Sequence, residues 1–257
     1  MLSLNKNDAK RPQYDVYVMK PDELILTLLM SMGLCFAVGL IFYENIILAI
    51  ILSLAGILYI PFRKKEQLQK KKEVLTIQFK DTLYFLSVSL SAGKSMETAL
   101  LDVYKTMLGI YPDKTSDIIM ELEIMNQQIL MNEPIEKIFY DLAQRSKIED
   151  IKSFADVIMI SKRAGGNLVE VIKNTSETIR EKVEIQNEIQ NLIAGKKFEQ
   201  KVMAIVPFGL VLFLKSSSSD YLQPLMTTAY GHIIMTIALI MLLLGQLIGR
   251  KIMKIEV

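Results

Sequence analysis

The chain has 257 residues and a single cysteine, Cys35, so no disulfide can form within it and a disulfide-stapled scaffold is excluded. With one histidine, His232, neither a histidine-based metal centre nor a His-dependent catalytic triad is expected within the chain. Several motifs are missing as well. No G-x-x-x-x-G-K-[ST] loop, H-E-x-x-H pair or G-x-S-x-G elbow occurs, which removes the usual signatures of nucleotide, peptide and ester hydrolysis. The expectation is a chain with no catalytic residues, no metal and no cofactor. Tryptophan is absent, and proline numbers only seven, too few to break the chain often. What the sequence does have is grease: 51% of residues are hydrophobic and mean hydropathy is +0.30. Yet 23% are charged, too many for a chain immersed in lipid. The two facts together require segregation, with apolar blocks in a bilayer and a charged block in water. That content of apolar residues also excludes intrinsic disorder.

Four apolar runs satisfy the first half of that requirement. Leu24 to Tyr43 is uncharged and long enough for a hydrocarbon core of ~30 Å, which needs about 20 helical residues. Ile46 to Phe62 follows after a two-residue connection. Val202 to Leu214 is shorter and contains Pro207, with Lys215 at its end placed to snorkel. Tyr230 to Gly249 is the fourth. Gly39, Ala49, Ser53 and Gly56 are small enough to let the first two runs approach closely. The polar residues before Leu24 do not read as a cleavable signal peptide.

Loop charges set the expected orientation. Lys6, Lys10, Arg11 and Lys20 precede the first run, and Arg63, Lys64, Lys65, Lys70, Lys71 and Lys72 follow the second. Lys196, Lys197 and Lys201 precede the third, while Arg250, Lys251 and Lys254 follow the fourth. Of basic side chains, the opposite turns (around Glu44 and from Lys215 to Thr228) hold only Lys215. By the positive-inside rule both termini and the middle block are cytoplasmic. The expected layout is therefore a cytoplasmic segment over 1–23, two spans within 24–62, a cytoplasmic helical domain over 63–201, two spans within 202–249 and a cytoplasmic tail over 250–257. Asp220, Tyr221 and Pro224 read as an external turn.

Between Glu73 and Lys201 stand sixteen Lys/Arg and twenty Asp/Glu, a net charge of −4. The basic surplus thus sits on the membrane flanks, facing anionic lipid, and the acidic middle block is no binder of nucleic acid. Its periodicity is helical. Ile148, Ile151, Phe154, Ala155 and Ile158 recur at three- and four-residue steps with Glu149, Asp150, Lys152 and Asp156 off that stripe. Breaks at 92–94, 109–113, 132–134, 145–147 and 164–166 divide the block into about six helices. Gly93 with Ser95, and Gly165 and Gly166 with Asn167, each read as a helix terminator followed by an N-cap, and Glu170 completes a capping-box pattern after Asn167. This weak repeat predicts an all-α bundle of two related three-helix halves. The last helix carries Glu177, Glu181, Glu184 and Glu188 close to one face, with Glu170 one step before them. Two explanations stand for that row: a solvated face softened by Arg180 and Lys182, or a contact for a basic partner surface.

L-S-A-G-K-S-M-E-T-A-L (Leu90 to Leu100) resembles the first helical hairpin of the type II secretion system F family. N-E-P-I-E-K-I-F-Y-D-L-A-Q-R (Asn132 to Arg145) and S-K-R-A-G-G-N-L-V-E-V-I (Ser161 to Ile172) continue the likeness. I-V-P-F-G-L-V-L-F (Ile205 to Phe213), D-Y-L-Q-P-L (Asp220 to Leu225) and the closing K-I-M-K-I-E-V resemble its tight-adherence (Tad) branch. The resemblance implies a multi-pass platform protein of the bacterial inner or plasma membrane, beneath a pilus or pseudopilus. It implies a hexameric cytoplasmic ATPase docked on the helical domain, pilins as clients, and a second copy or paralogous subunit, because one F domain stands where relatives carry two in tandem. The usual glycine before the proline-led helix is replaced by Asn132-Glu133, and asparagine tolerates the same left-handed geometry. A transporter subunit or a helical membrane signalling protein are the rival readings.

Overall fold

The computed structural model describes residues 12, 14–113, 115–165, 167–217 and 219–252, and within these the regular structure is helical throughout. Ten α-helices follow in chain order: α1 (Pro21–Tyr43), α2 (Ile46–Leu54), α3 (Tyr59–Ser91), α4 (Met96–Ile110), α5 (Asp117–Leu130), α6 (Ile135–Ser146), α7 (Glu149–Arg163), α8 (Leu168–Ser217), α9 (Ser219–Thr227) and α10 (Ala229–Ile252). A 3-10 turn, Ala55–Leu58, joins α2 to α3. They divide into two compact units. One takes the described residues before Val18 with Lys65–Ile185, and the other takes Val18–Lys64 with the described residues from Gln186 on. Helices α3 and α8 each contribute to both.

The first unit is built from helices whose apolar residues repeat every three or four positions. On α3 the buried apolar positions are Leu75, Phe79, Leu83, Leu86 and Leu90. All five apolar positions of the stripe expected from Ile148 to Ile158 are buried. Phe154 on α7 sits edge-on to Phe79 of α3 (5.5 Å between ring centres) and to Phe139 of α6 (5.0 Å), tying three helices at one point. Such aromatic pairs are worth ~1 kcal/mol beyond their burial.

Turn chemistry explains where these helices stop. Gly93 has φ +81°, with its amide on Leu90 O and the Lys94 amide on Ser89 O, a Schellman-type closure that an L side chain would strain. Asn132 takes φ +59°, the left-handed geometry that asparagine tolerates. Lys147 ends α6 at φ +50° with no glycine to announce it.

In the second unit, α1 opens with Pro21 and the acidic Asp22 and Glu23, which suit a helix N-terminus, and closes at Glu44 with φ +47°. Asn45 then caps α2 by accepting from the Ile47 amide at 2.9 Å. The two helices pack closely because of their glycines: a Cβ on Gly39 would lie 2.6 Å from Ala49 Cα, and one on Gly56 would lie 2.9 Å from Met32 N. Among the described residues, three helical runs are long and apolar enough to cross a membrane: Pro21–Tyr43, a stretch of Ile46–Ser91, and Tyr230–Gly249. Val202 to Leu214 is not separate from the preceding polar helix. It forms the end of the 50-residue α8, which carries Pro207 without breaking. At about 1.5 Å per residue its thirteen uncharged residues reach only ~20 Å.

The expected external turn at 220–224 is instead the helix α9, with Pro224 inside it. Leu222 and Met226, four residues apart, are both buried in the apolar cluster of this unit, and that spacing outweighs the turn-forming character of Ser, Asp and Pro.

Candidate functional site

Along α8 the two faces have opposite characters. Ile172, Ser176, Ile179 and Val183 are buried against the first unit. Glu170, Glu177, Glu181, Glu184 and Glu188 are all exposed. At 100° per residue the five glutamates cluster on the side opposite the buried stripe. Arg180 pairs with Glu184 at 3.3 Å, whereas Lys182 turns away and bonds Asp150 of α7 at 2.7 Å. The expected softening of the row by Lys182 is therefore not what this lysine does. Like charges at these spacings cost a few tenths of a kcal/mol per pair in a lone helix.

Capping side chains fix where this face begins. Gly165 has φ +69°, and Asn167 Oδ1 accepts from the amides of Val169 (3.2 Å) and Glu170 (3.4 Å). Gly166 lies outside the described residues. On the preceding hairpin, Ser95 Oγ accepts from the Thr98 amide at 3.3 Å, and Lys94 bonds Asp102 across the first turns of α4. That hydrogen bond from Lys94 holds the Asp102 carboxyl below the usual carboxylate range.

The densest polar network is one that sequence reasoning did not single out. Glu121 of α5 is fully buried and receives a two-pronged hydrogen bond from Arg145 of α6, at 2.5 and 2.6 Å. The Tyr14 hydroxyl donates to the same carboxylate at 2.8 Å. Burial, and then the Glu121 charge, push the Tyr14 phenol far above its ordinary value, so it stays a proton donor. For Arg145, burial works against the charged form, but the hydrogen bond and charge of Glu121 outweigh it and the net shift is upward. Arg145 also bonds Asp141 at 3.0 Å and donates to the Pro12 carbonyl. A fork of this kind is geometrically specific. Nothing in the local sequence marks Glu121, because its partners stand 24 and 107 residues away.

Residues 82–214 match the family model of type II secretion system (T2SS) protein F. The chain belongs to the type II secretion system F family. No curated protein and no solved structure matches it. F-family proteins are membrane platform proteins of type II secretion and type IV pilus-like systems, which work with a secretion ATPase, and they are not known as enzymes. The three apolar helices among the described residues and an F domain fit a multi-pass membrane protein. The matched stretch opens on α3 and closes within α8. It contains both Gly-terminated hairpins, the Glu121–Arg145 pair and the whole acidic row, but not Tyr14, which the F-family chain places in the same core from outside the matched region.

Proposed function

We propose that this chain is the platform protein of a Tad-like type IV pilus or type II secretion machine in a bacterial inner or plasma membrane. In this reading a hexameric cytoplasmic ATPase engages the helical domain over 63–201. Its cyclic motion passes through that domain to the membrane helices and helps pilins leave the bilayer for the filament. The chain itself hydrolyses nothing. It spans the membrane four times with both termini cytoplasmic, and it pairs with a second copy or a paralogous subunit to supply two F domains. The basic flanks of the spans meet lipid headgroups.

The observation that carries this reading is the F-family match, which runs through the helical unit into the apolar end of α8. A fourth span draws support from the packing of that end. Gln200 donates to Gln246 O of α10 at 3.5 Å, Phe208 packs edge-on to Phe42 of α1 at 5.7 Å, and Lys215 pairs with Glu44 at 2.6 Å. Val202 to Leu214 thus lies alongside helices that are themselves apolar enough to cross, and Lys215 has a carboxylate at its end.

The exposed glutamate row on α8 is the proposed contact for a basic surface of the ATPase or the paired subunit. Co-purification of the full chain from membranes with the secretion ATPase tests the assignment. Capture is expected with wild type and is lost with Glu181→Lys and Glu184→Lys together; unchanged recruitment and unchanged assembly would discard the contact. Gly165→Cys in a Cys35→Ser background is expected to react with impermeant maleimide only from the cytoplasmic side. Labelling from outside the cell would overturn the topology.

A further inference from the structure

The residues ahead of the first membrane helix are built into the soluble core. Tyr14 is 1% exposed and belongs to the main apolar cluster of the first unit. Its amide donates to Arg145 O at 3.1 Å, its hydroxyl to Glu121 at 2.8 Å, and its ring lies under Lys71 Nζ at 5.1 Å. On either side, the Pro12 carbonyl accepts from Arg145 and Asp15 pairs with Lys147 at 2.5 Å. Backbone, ring, hydroxyl and two neighbours are all engaged, so this is a seated peptide and not a passing contact. Only five residues, Val16 to Lys20, then separate Asp15 from Pro21, the first residue of α1. They carry no helix that could unwind to lengthen them, and Met19 among them is buried. Fully extended, five residues reach at most ~18 Å.

From this we infer that residues 14–20 are a mechanical tie: Tyr14, locked to the α5–α6 corner by Glu121 and Arg145, makes the first membrane helix follow movements of the soluble domain through a linker of only five residues. The inference rests on the platform reading and adds a second load path to it, besides the continuous helices α3 and α8. A segment that only filled the core would need Tyr14 but not a short linker. A tie needs both.

The discriminating variant keeps the anchor and adds slack. Six Gly/Ser residues inserted after Val16 contribute roughly 14 Å of flexible reach. In the full chain, hydrogen exchange of the Tyr14 amide is expected to stay as slow as in wild type, and membrane abundance and ATPase capture to stay unchanged. Filament assembly or secretion in the native host is expected to fall to the level of the deleted chain. Full assembly with the slack linker would overturn the tie. Tyr14→Ala is the companion variant, expected to free the 12–17 segment to exchange and to lose assembly with α4 and α7 still protected. Assembly at wild-type level with that segment free would equally refute the proposal. Undiminished filaments after deletion of the whole chain would instead overturn the platform reading and take the tie with it.

Discussion

Replacing Arg145 with methionine tests whether the Glu121 network holds the F domain together. Glu121 is wholly shielded from solvent and the Arg145 side chain is 11% exposed, so the pair lies within the core and not on its rim. Removing the cation leaves the carboxylate facing the Tyr14 hydroxyl alone. Breaking a buried pair from one side costs about 3–5 kcal/mol, a large part of the ~5–15 kcal/mol that holds a typical domain. At about 1.4 kcal/mol per decade, amide exchange of α5 and α6 in the full-length protein should accelerate by roughly two to three and a half decades. The chain has no tryptophan and both units are helical, so circular dichroism does not single out this domain, which makes exchange by mass spectrometry the sharper readout. Adding Glu121→Leu and Tyr14→Phe to Arg145→Met removes the buried carboxylate and the phenol hydroxyl bonded to it, and such an apolar replacement should recover most of the loss. If the single variant exchanges like wild type, or the triple variant stays as labile as the single one, the pair is not acting as argued.

Other expectations follow from local geometry. Gly39→Leu forces a side chain into the Ala49 backbone and should cost about 1–3 kcal/mol of stability in detergent, whereas Gly33→Ala, which has open space, should be neutral; thermal aggregation of the two proteins checks this. Gly165→Ala places a Cβ at φ +69° and Asn167→Ala removes the cap that follows, each expected to destabilise the start of α8 by ~1 kcal/mol, measurable as faster exchange from 168 to 175. The Lys147 hydrogen bond holds the Asp15 carboxyl below its ordinary value. Its contribution is therefore complete above the unfolded value near pH ~4 and is lost as pH falls through the depressed folded value. Exchange at residues 12–17, corrected for its intrinsic pH dependence, should be flat from pH 8 to 5 and rise only below pH ~4; loosening already at pH 6 would contradict it.

Much of this protein is written locally. Gly93, Asn132 and Gly165 stand where the backbone turns left-handed, and from α3 to the start of α8 the helices break where the sequence breaks. The buried stripe of α7 follows its three- and four-residue steps. The glutamates of α8 share a face because 3.6 residues make a turn, and no partner is needed to put them there. Charge segregation and the long apolar runs are likewise properties of the chain itself.

Tertiary structure decided the rest, and each case is a choice among partners distant in sequence. Lys182 bonds Asp150 of α7 although glutamates flank it on its own helix, because the packing of α7 beside α8 brings that carboxylate within 2.7 Å. The stretch 219–227 coils into a helix because Leu222 and Met226 find a cluster to enter. Glu121 and Arg145 meet, and draw in Tyr14 across 107 residues, because a buried carboxylate is costly until it is fully hydrogen-bonded, and only the assembled core brings those donors together.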